Sequence, residues 1–239
     1  MRSLIRKLIF IGLCFSTFFS EVFAQESYRY QWSGFYGGAH FGYGWGIDNI
    51  PYSQQIAPPN MIFAGNSGTL SGVLGGSQAG YNLTVTPSFL LGVEADVSVA
   101  NIANQRLGAG ATPSLAFSHE AKINWYGTVR ARSGIITSNN TLIYGTGGLA
   151  WATIKSIRTQ IIGTSLNATP GSIESATFSS LGWAIGAGVE RAFSQRWSAR
   201  LEYLYTDVGT TTVTRVLTQG RVFENDKWSI VRLGLNYKL

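Results

Sequence analysis

The sequence predicts an all-β protein, an eight-stranded antiparallel transmembrane β-barrel with periplasmic termini and four long extracellular loops. Three observations favour this fold class. Apolar residues alternate with small or polar ones in eight segments, long and short connectors alternate between the segments, and charged residues keep to one face of each segment. Charged residues make up 13% of the chain, against about 25% in soluble domains. No stretch after residue 24 has the apolar length of a membrane-spanning helix.

The N-terminal residues have the features of a secretory signal. Basic residues precede an apolar stretch at 8–19, which is too short to span a bilayer as a helix. Val22 and Ala24 then offer small residues at the positions that signal peptidase reads, so we expect cleavage before Gln25. We predict a signal peptide over 1–24 and a β-barrel domain over 25–239, with an uncleaved N-terminal anchor as the alternative.

The eight alternating segments are close to the roughly 9–11 residues with which a tilted strand crosses a bilayer. They lie at about 34–45, 71–84, 89–100, 122–134, 141–155, 180–192, 197–207 and 228–239. The fifth has an ambiguous phase, because residues 142–144 are apolar on both faces. Long connectors at 46–70, 101–121, 156–179 and 208–227 alternate with short ones at 85–88, 135–140 and 193–196. Long outer loops, short periplasmic turns and an even strand count are typical of bacterial outer-membrane barrels.

The charged residues indicate which face of the strands meets lipid. On the lipid side, each Arg or Lys near the bilayer midplane costs about 2–4 kcal/mol, whereas inside the barrel acids and bases can pair. A soluble lipocalin-like barrel would have the opposite polarity, and a soluble sandwich with core aromatics is a second alternative. Aromatic residues near the strand ends favour the membrane barrel, since such rings form girdles at the two interfaces. We therefore predict an interior ion-pair network formed by Glu94, Asp96, Lys122, Arg130, Arg132, Glu190, Arg200, Glu202 and Arg232.

Short motifs recur along the predicted strands. They include Trp-Ser-Gly-Phe-Tyr-Gly-Gly at 32–38, Gly-Ser-Gln-Ala-Gly-Tyr-Asn at 76–82, Leu-Gly-Val-Glu-Ala-Asp at 91–96 and Trp-Tyr-Gly-Thr-Val-Arg at 125–130. In this order they resemble the small outer-membrane surface antigens of alphaproteobacteria, and the similarity covers all eight strands but not the long loops. The resemblance implies an integral outer-membrane protein that is surface-exposed and immunogenic. Some members of the family that the chain resembles are porin-like and some bind haemin, so the resemblance implies these two roles as alternatives.

We expect outer-membrane lipid and lipopolysaccharide around such a barrel. The resemblance further implies that the outer-membrane assembly machinery recognises the C-terminal strand. Such proteins usually end in Phe, whereas this chain ends in Leu239, with Tyr237 two residues back on the same face. The net charge of +6 is spread without blocks of like charge, so no nucleic-acid partner is expected.

The two histidines are the main candidates for chemistry. His40 is predicted to face inward, and His119 lies beside Glu120 where the second long loop meets its strand. A hydrolase that deacylates lipid A would need a serine and an acid beside one of them, and the sequence does not single out such a pair. We predict no enzyme activity and no metal site. No cofactor is expected, and haem is the alternative, with His40 and His119 as candidate ligands and Tyr52 and Met61 as further ones.

The sequence therefore predicts a non-enzymatic, envelope-structural barrel and surface antigen. The alternative is a haemin-binding or narrow porin-like solute-handling barrel of the same fold. Eight strands enclose a space that side chains can fill, so a wide channel is not expected.

Overall fold

The computed structural model describes residues 30–55, 61–109, 116–137, 140–162, 170–215 and 220–239. The predicted signal peptide and its cleavage site lie outside the described residues. The strands are β1 (Gly34–Gln55), β2 (Met61–Thr86), β3 (Phe89–Ala109), β4 (Ala116–Thr137), β5 (Thr141–Ile162), β6 (Ile173–Ala192), β7 (Trp197–Arg215) and β8 (Gly220–Lys238). Within the described part of the chain, no helix is long and apolar enough to cross a membrane.

The eight strands close into an antiparallel barrel in sequence order. Each strand pairs with the next, and β1 closes the ring by pairing with β8 from Tyr36↔Lys238 to Gln55↔Gly220. Closure gives each strand a backbone hydrogen-bond partner on both sides in the part of the barrel nearer the short turns. The β6–β7 ladder runs only from Trp183↔Asp207 to Ala192↔Ser198, so beyond it the described residues of these two strands pair only with β5 and β8. The prediction of an eight-stranded antiparallel barrel is confirmed.

Both ends of the described chain lie at the same end of the barrel as the short turns. There the backbone N–H of Leu239 donates to Phe35 O at 3.0 Å. The N–H of Tyr30 donates to Oδ1 of Asn140 in the β4–β5 turn at 3.2 Å. Asn140 has a φ of 51°, a left-handed conformation that Asn adopts more readily than most residues. The strand ends that border the four predicted long connectors lie at the opposite end of the barrel.

The strands are longer than the sequence pattern suggests, with 19 to 26 residues each. The β1–β2 ladder continues to Gln55↔Met61, within the first predicted long loop. The β3–β4 ladder continues to Ala109↔Ala116, within the second. These extensions carry small and polar residues without the alternation that marks a half-buried strand, so the pattern did not reveal them. Much of each long loop is an extended hairpin that lengthens the barrel wall.

The outer surface of the barrel is apolar, and the polar side chains face the lumen. On β3, Val93 is 58% exposed whereas its neighbour Glu94 is 3% exposed. Aromatic rings lie on the outer surface as well, with centroids 5.7 Å apart for Trp183 and Tyr205. This polarity is the reverse of that in a lipocalin-like barrel.

The lumen is filled in three layers. Toward the long connections lies an apolar cluster whose larger members are Leu70, Leu74, Ile102, Ile123, Tyr126, Ile154, Leu204, Trp228 and Ile230. Toward the short turns lies a second cluster formed by Tyr30, Trp32, Leu90, Leu142, Tyr144 and Ala192. Buried charged and polar residues occupy the space between them.

Candidate functional site

Four arginines and four carboxylates meet in the middle of the lumen, and we call them the charged layer. They are Glu94 and Asp96 on β3, Arg130 and Arg132 on β4, Glu190 on β6, Arg200 and Glu202 on β7, and Arg232 on β8, each at most 4% exposed. Period two turns them inward, and the strand register sets opposite charges side by side at Glu94↔Arg130, Glu190↔Arg200 and Glu202↔Arg232. The four positive and four negative formal charges cancel, as a dry interior requires.

Arg130 lies at the centre of the charged layer. Its Nη2 donates to Glu94 Oε1 at 2.8 Å and to Asp96 Oδ2 at 3.0 Å. Its Nη1 donates to Glu202 Oε1 at 3.2 Å. Its Nε donates to Thr128 Oγ1 at 2.8 Å, and that hydroxyl donates to Asp96 Oδ2 at 2.5 Å. One guanidinium therefore ties β3 to β7 across the lumen.

Glu94 is the carboxylate that the arginines share. Arg200 Nη1 forms a short ion pair with Glu94 Oε2. All four arginines of the charged layer place a nitrogen within 3.7 Å of this carboxylate. Arg232 also donates from Nε to Glu202 Oε2 at 2.5 Å and from Nη2 to Asp96 Oδ2 at 3.1 Å. Glu94, Asp96 and Glu202 each contact more than one described arginine, whereas Glu190 contacts Arg132 alone among them. Removing one arginine therefore leaves buried negative charge uncompensated.

Two tyrosine rings cross the lumen beside Arg132. Arg132 Nη2 donates to Glu190 Oε2 at 2.6 Å, and its guanidinium carbon lies 4.2 Å from the ring centroid of Tyr144. The hydroxyl of Tyr36 accepts from Arg132 Nη1 at 2.9 Å and donates to Glu94 Oε2 at 2.6 Å. The rings thus add cation–π contacts and hydrogen bonds to the ion pairs.

The tyrosines fit because each faces a glycine on the neighbouring strand. Tyr36 pairs with Gly80 and Tyr144 pairs with Gly188 in the backbone register. A Cβ on Gly188 would stand 2.6 Å from both Cζ and the hydroxyl oxygen of Tyr144. Sequence reasoning did not identify these pairs, because the signal is an inward Gly opposite an inward Tyr, which requires the register to be known.

His40 belongs to a buried chain of hydrogen bonds that leads to the charged layer. Its Nδ1 lies 2.6 Å from Gln78 Oε1, and its Nε2 lies 2.7 Å from Ser98 Oγ. Gln78 Nε2 donates to Asn236 Oδ1 at 2.7 Å, and Asn236 Nδ2 donates to Glu190 Oε1 at 2.9 Å. An ionised carboxylate only accepts, so Glu190 orients both amides and leaves His40 Nδ1 as a donor to Gln78. Both ring nitrogens have partners, so haem ligation by His40 would require breaking this chain.

The structure corrects the prediction for Lys122, which does not join the charged layer. Tyr126 faces the lumen, as do Arg130 and Arg132 at even-numbered positions of the same strand. The register shifts between Ile123 and Trp125. Beyond that bulge Ala121 and Ile123 are buried, so Lys122 faces outward. One extra residue in a strand moves the following side chains to the opposite face, which the sequence alternation does not reveal.

The other candidate haem ligands lie in the extended hairpins. His119 pairs in backbone register with Arg106 on β3 and Arg158 on β5, and Tyr52 and Met61 lie in the β1–β2 extension. Their side chains are outside the described residues, so their role as haem ligands stays a prediction.

Comparison with known proteins agrees with the fold. A family model described as outer membrane protein beta-barrel domain matches residues 10–238. The chain is 34% identical over 213 residues to a 31 kDa outer-membrane immunogenic protein of Brucella melitensis, a match that covers 87% of this chain and 84% of the relative. It is 39% identical over 88 residues to a 22 kDa outer membrane protein of Rhizobium leguminosarum, which covers 37% of this chain and 35% of that one.

Among solved structures, the outer membrane protein OprG from Pseudomonas aeruginosa superposes with a TM-score of 0.51 at 14% identity, covering 88% of this chain and 98% of that chain. This similarity concerns the fold alone. The family match at residues 10–238 includes all eight strands, and the match to the Brucella relative covers 87% of the chain. The chain therefore belongs to the outer membrane protein beta-barrel family, among the small outer-membrane barrels of alphaproteobacteria.

Proposed function

We propose that this outer-membrane protein is a sealed, non-enzymatic barrel that contributes to envelope integrity and displays its extended hairpins at the cell surface. The filling of the lumen carries the proposal. An apolar cluster, the charged layer and a second apolar cluster follow one another from the long connections to the short turns. The relatives named outer-membrane immunogenic proteins are consistent with surface display.

The charged layer supports a plugged barrel over a porin-like one. Arg130 contacts three carboxylates within 3.2 Å, those of Glu94, Asp96 and Glu202. A solute or ion crossing the lumen would have to break these ion pairs. Separating buried charges costs several kcal/mol per ion even after relaxation. The T-shaped pair Tyr126–Trp228, with centroids 5.7 Å apart, would also have to move.

One group of described lumen residues resembles a catalytic set. Ser98, His40 and Gln78 are linked in the order of nucleophile, base and orienting group. Ser98 is 1% exposed and His40 is 5% exposed, so a substrate would have to displace the surrounding lumen side chains to reach them. Burial therefore favours a structural role for this chain of hydrogen bonds.

Planar-bilayer recording tests the proposal. Refolded protein should give no steady conductance steps above those of the detergent blank, while a known porin in the same bilayer reports that insertion is detected. Folding is checked by the mobility of the unheated band on a gel. Large steady steps from folded protein would overturn the sealed barrel.

Haemin binding stays the alternative, with His119 as its remaining histidine candidate. Saturable haemin absorbance that is lost in His119→Ala but kept in His40→Ala would establish it. Haemin binding that is unchanged in both variants would rule out ligation of haem by either histidine.

A further inference from the structure

Two lysines face each other on the outer surface of the barrel. Lys122 on β4 and Lys155 on β5 are direct partners in the backbone register. Their neighbours Ala121, Ile123 and Ile154 are buried in the lumen, so both lysines face outward, and both are partly exposed. Side chains directly opposite each other on antiparallel strands have Cβ atoms about 4.5–5.5 Å apart.

The two lysines of this like-charge pair have no ion-pair partner among the described residues. No ion pair joins either lysine to a described carboxylate, although Glu120 lies two residues from Lys122 on the same face. A matched outward lysine behaves differently, since Lys227 Nζ lies 3.1 Å from Asp207 Oδ2. Like charges directly opposite each other destabilise a sheet. An anion between the two ammonium groups would remove this repulsion, so we expect the pair to bind one.

The pair lies at the level of the outer membrane interface. On β4, Lys122 lies beyond Trp125 toward the long connections, and Trp125 is 50% exposed on the lipid-facing surface. On β5, Lys155 follows Thr153, whose hydroxyl contacts that of Ser179 on β6 at 3.3 Å. Both lysines are on the side of the long connections, which face the cell exterior in this family. Aromatic rings such as that of Trp125 are enriched where a barrel leaves the hydrocarbon and meets lipid headgroups.

We propose that Lys122 and Lys155 together bind a phosphate of the lipopolysaccharide headgroup in the outer leaflet. Two ammonium groups on adjacent strands can approach one phosphate from two sides, and the lipid then supplies the ion-pair partner that the described residues do not. Charge complementarity and interface depth select this occupant over a cytoplasmic or periplasmic anion. The inference rests on outer-membrane location and not on the sealed lumen, so a conducting barrel would leave it intact.

Native mass spectrometry of the refolded protein with bisphosphorylated lipid A tests the site. The variants are Lys122→Gln, Lys155→Gln and the double variant, and Lys227→Gln is the matched control because that lysine already has a carboxylate partner. Each basic residue near an anionic lipid surface contributes to the free energy of binding. The affinity of the double variant for lipid A should therefore be roughly 10- to 30-fold lower than that of the wild type. Each single variant should lose roughly fivefold, and Lys227→Gln should bind as the wild type.

Two further ligands distinguish the lipid phosphate from other sources. Dephosphorylated lipid A should bind the wild type as weakly as lipid A binds the double variant. Inorganic phosphate at millimolar concentration should not displace lipid A. Equal binding of dephosphorylated lipid A, unchanged affinity in the folded double variant, or displacement by free phosphate would each overturn the proposal.

Discussion

The charged layer and the outward lysine pair both contain buried or partly buried basic side chains, but only those of the charged layer have carboxylate partners among the described residues. Inside the barrel, Arg130 has three carboxylates within 3.2 Å. On the outer surface, Lys122 lies opposite Lys155 and neither has an ion pair with a described residue. The charged side chains of the lumen are buried, so in the sealed lumen that we propose the chain itself must supply each counter-charge. At the interface, lipid headgroups and water are within reach, so the chain need not.

The largest effect is expected when the charged layer loses its central base. Arg130→Leu leaves Glu94, Asp96 and Glu202 short of a partner within a buried site. Breaking a buried network in this way costs about 3–5 kcal/mol. Urea unfolding of the refolded barrel in detergent, followed by gel mobility, measures the loss.

Arg196→Leu is the control for that substitution. Arg196 lies exposed in the β6–β7 turn and donates to Tyr237 Oη at 2.8 Å. Its loss should leave the unfolding midpoint unchanged. An equal midpoint for Arg130→Leu and the wild type would mean that the charged layer does not stabilise the barrel.

A smaller effect is expected where a tyrosine ring faces glycine. Gly188→Ala would bring a Cβ to 2.6 Å from the Tyr144 ring and push the hydroxyl away from Glu202 Oε1, to which it donates at 3.0 Å. Overpacking of this kind costs about 1–3 kcal/mol. Gly145→Ala is the control, since a Cβ there would meet only a backbone oxygen at 3.9 Å. Equal unfolding midpoints for the two variants would contradict the packing argument.

The smallest effect is expected on the outer surface and has the opposite sign. In neutral detergent without lipid, Lys155→Gln removes one of two facing charges and should raise the stability by about 0.2–1 kcal/mol. Lipid A should reverse the order by stabilising the wild type more than the variant. A loss of stability in detergent alone would show that Lys155 already has a partner within the protein.

The sequence was sufficient for most of the charged layer. Alternation with period two put Glu94, Asp96, Arg130, Arg132 and the other inward charges on one face, and the cost of charge in lipid selected the lumen for that face. It did not reveal the bulge in β4, because an inserted residue has no signature in an alternating pattern. The prediction therefore turned Lys122 inward, where the structure turns it outward.

Contacts between strands distant in sequence were also beyond the sequence pattern. The hydrogen bonds from His40 through Gln78 and Asn236 to Glu190 join residues up to 158 positions apart, and their pairing depends on the register of the closed barrel. The extended hairpins were missed for another reason, since strands without one buried face carry no alternation. Sequence patterning thus reports on the faces of single strands, while bulges and register decide which side chains meet.

The central claim is that the interior charges and the two apolar clusters exclude water from the lumen, and cysteine accessibility tests it most directly. Cys14 is the only cysteine and lies in the predicted signal peptide, so single cysteines in the mature chain give a clean signal. A charged, membrane-impermeant maleimide should label Gln195→Cys in the exposed β6–β7 turn and should leave the near-isosteric Ser98→Cys unlabelled until the barrel is unfolded. Rapid labelling of Ser98→Cys in the folded barrel would contradict the account, because it would require a water-filled lumen.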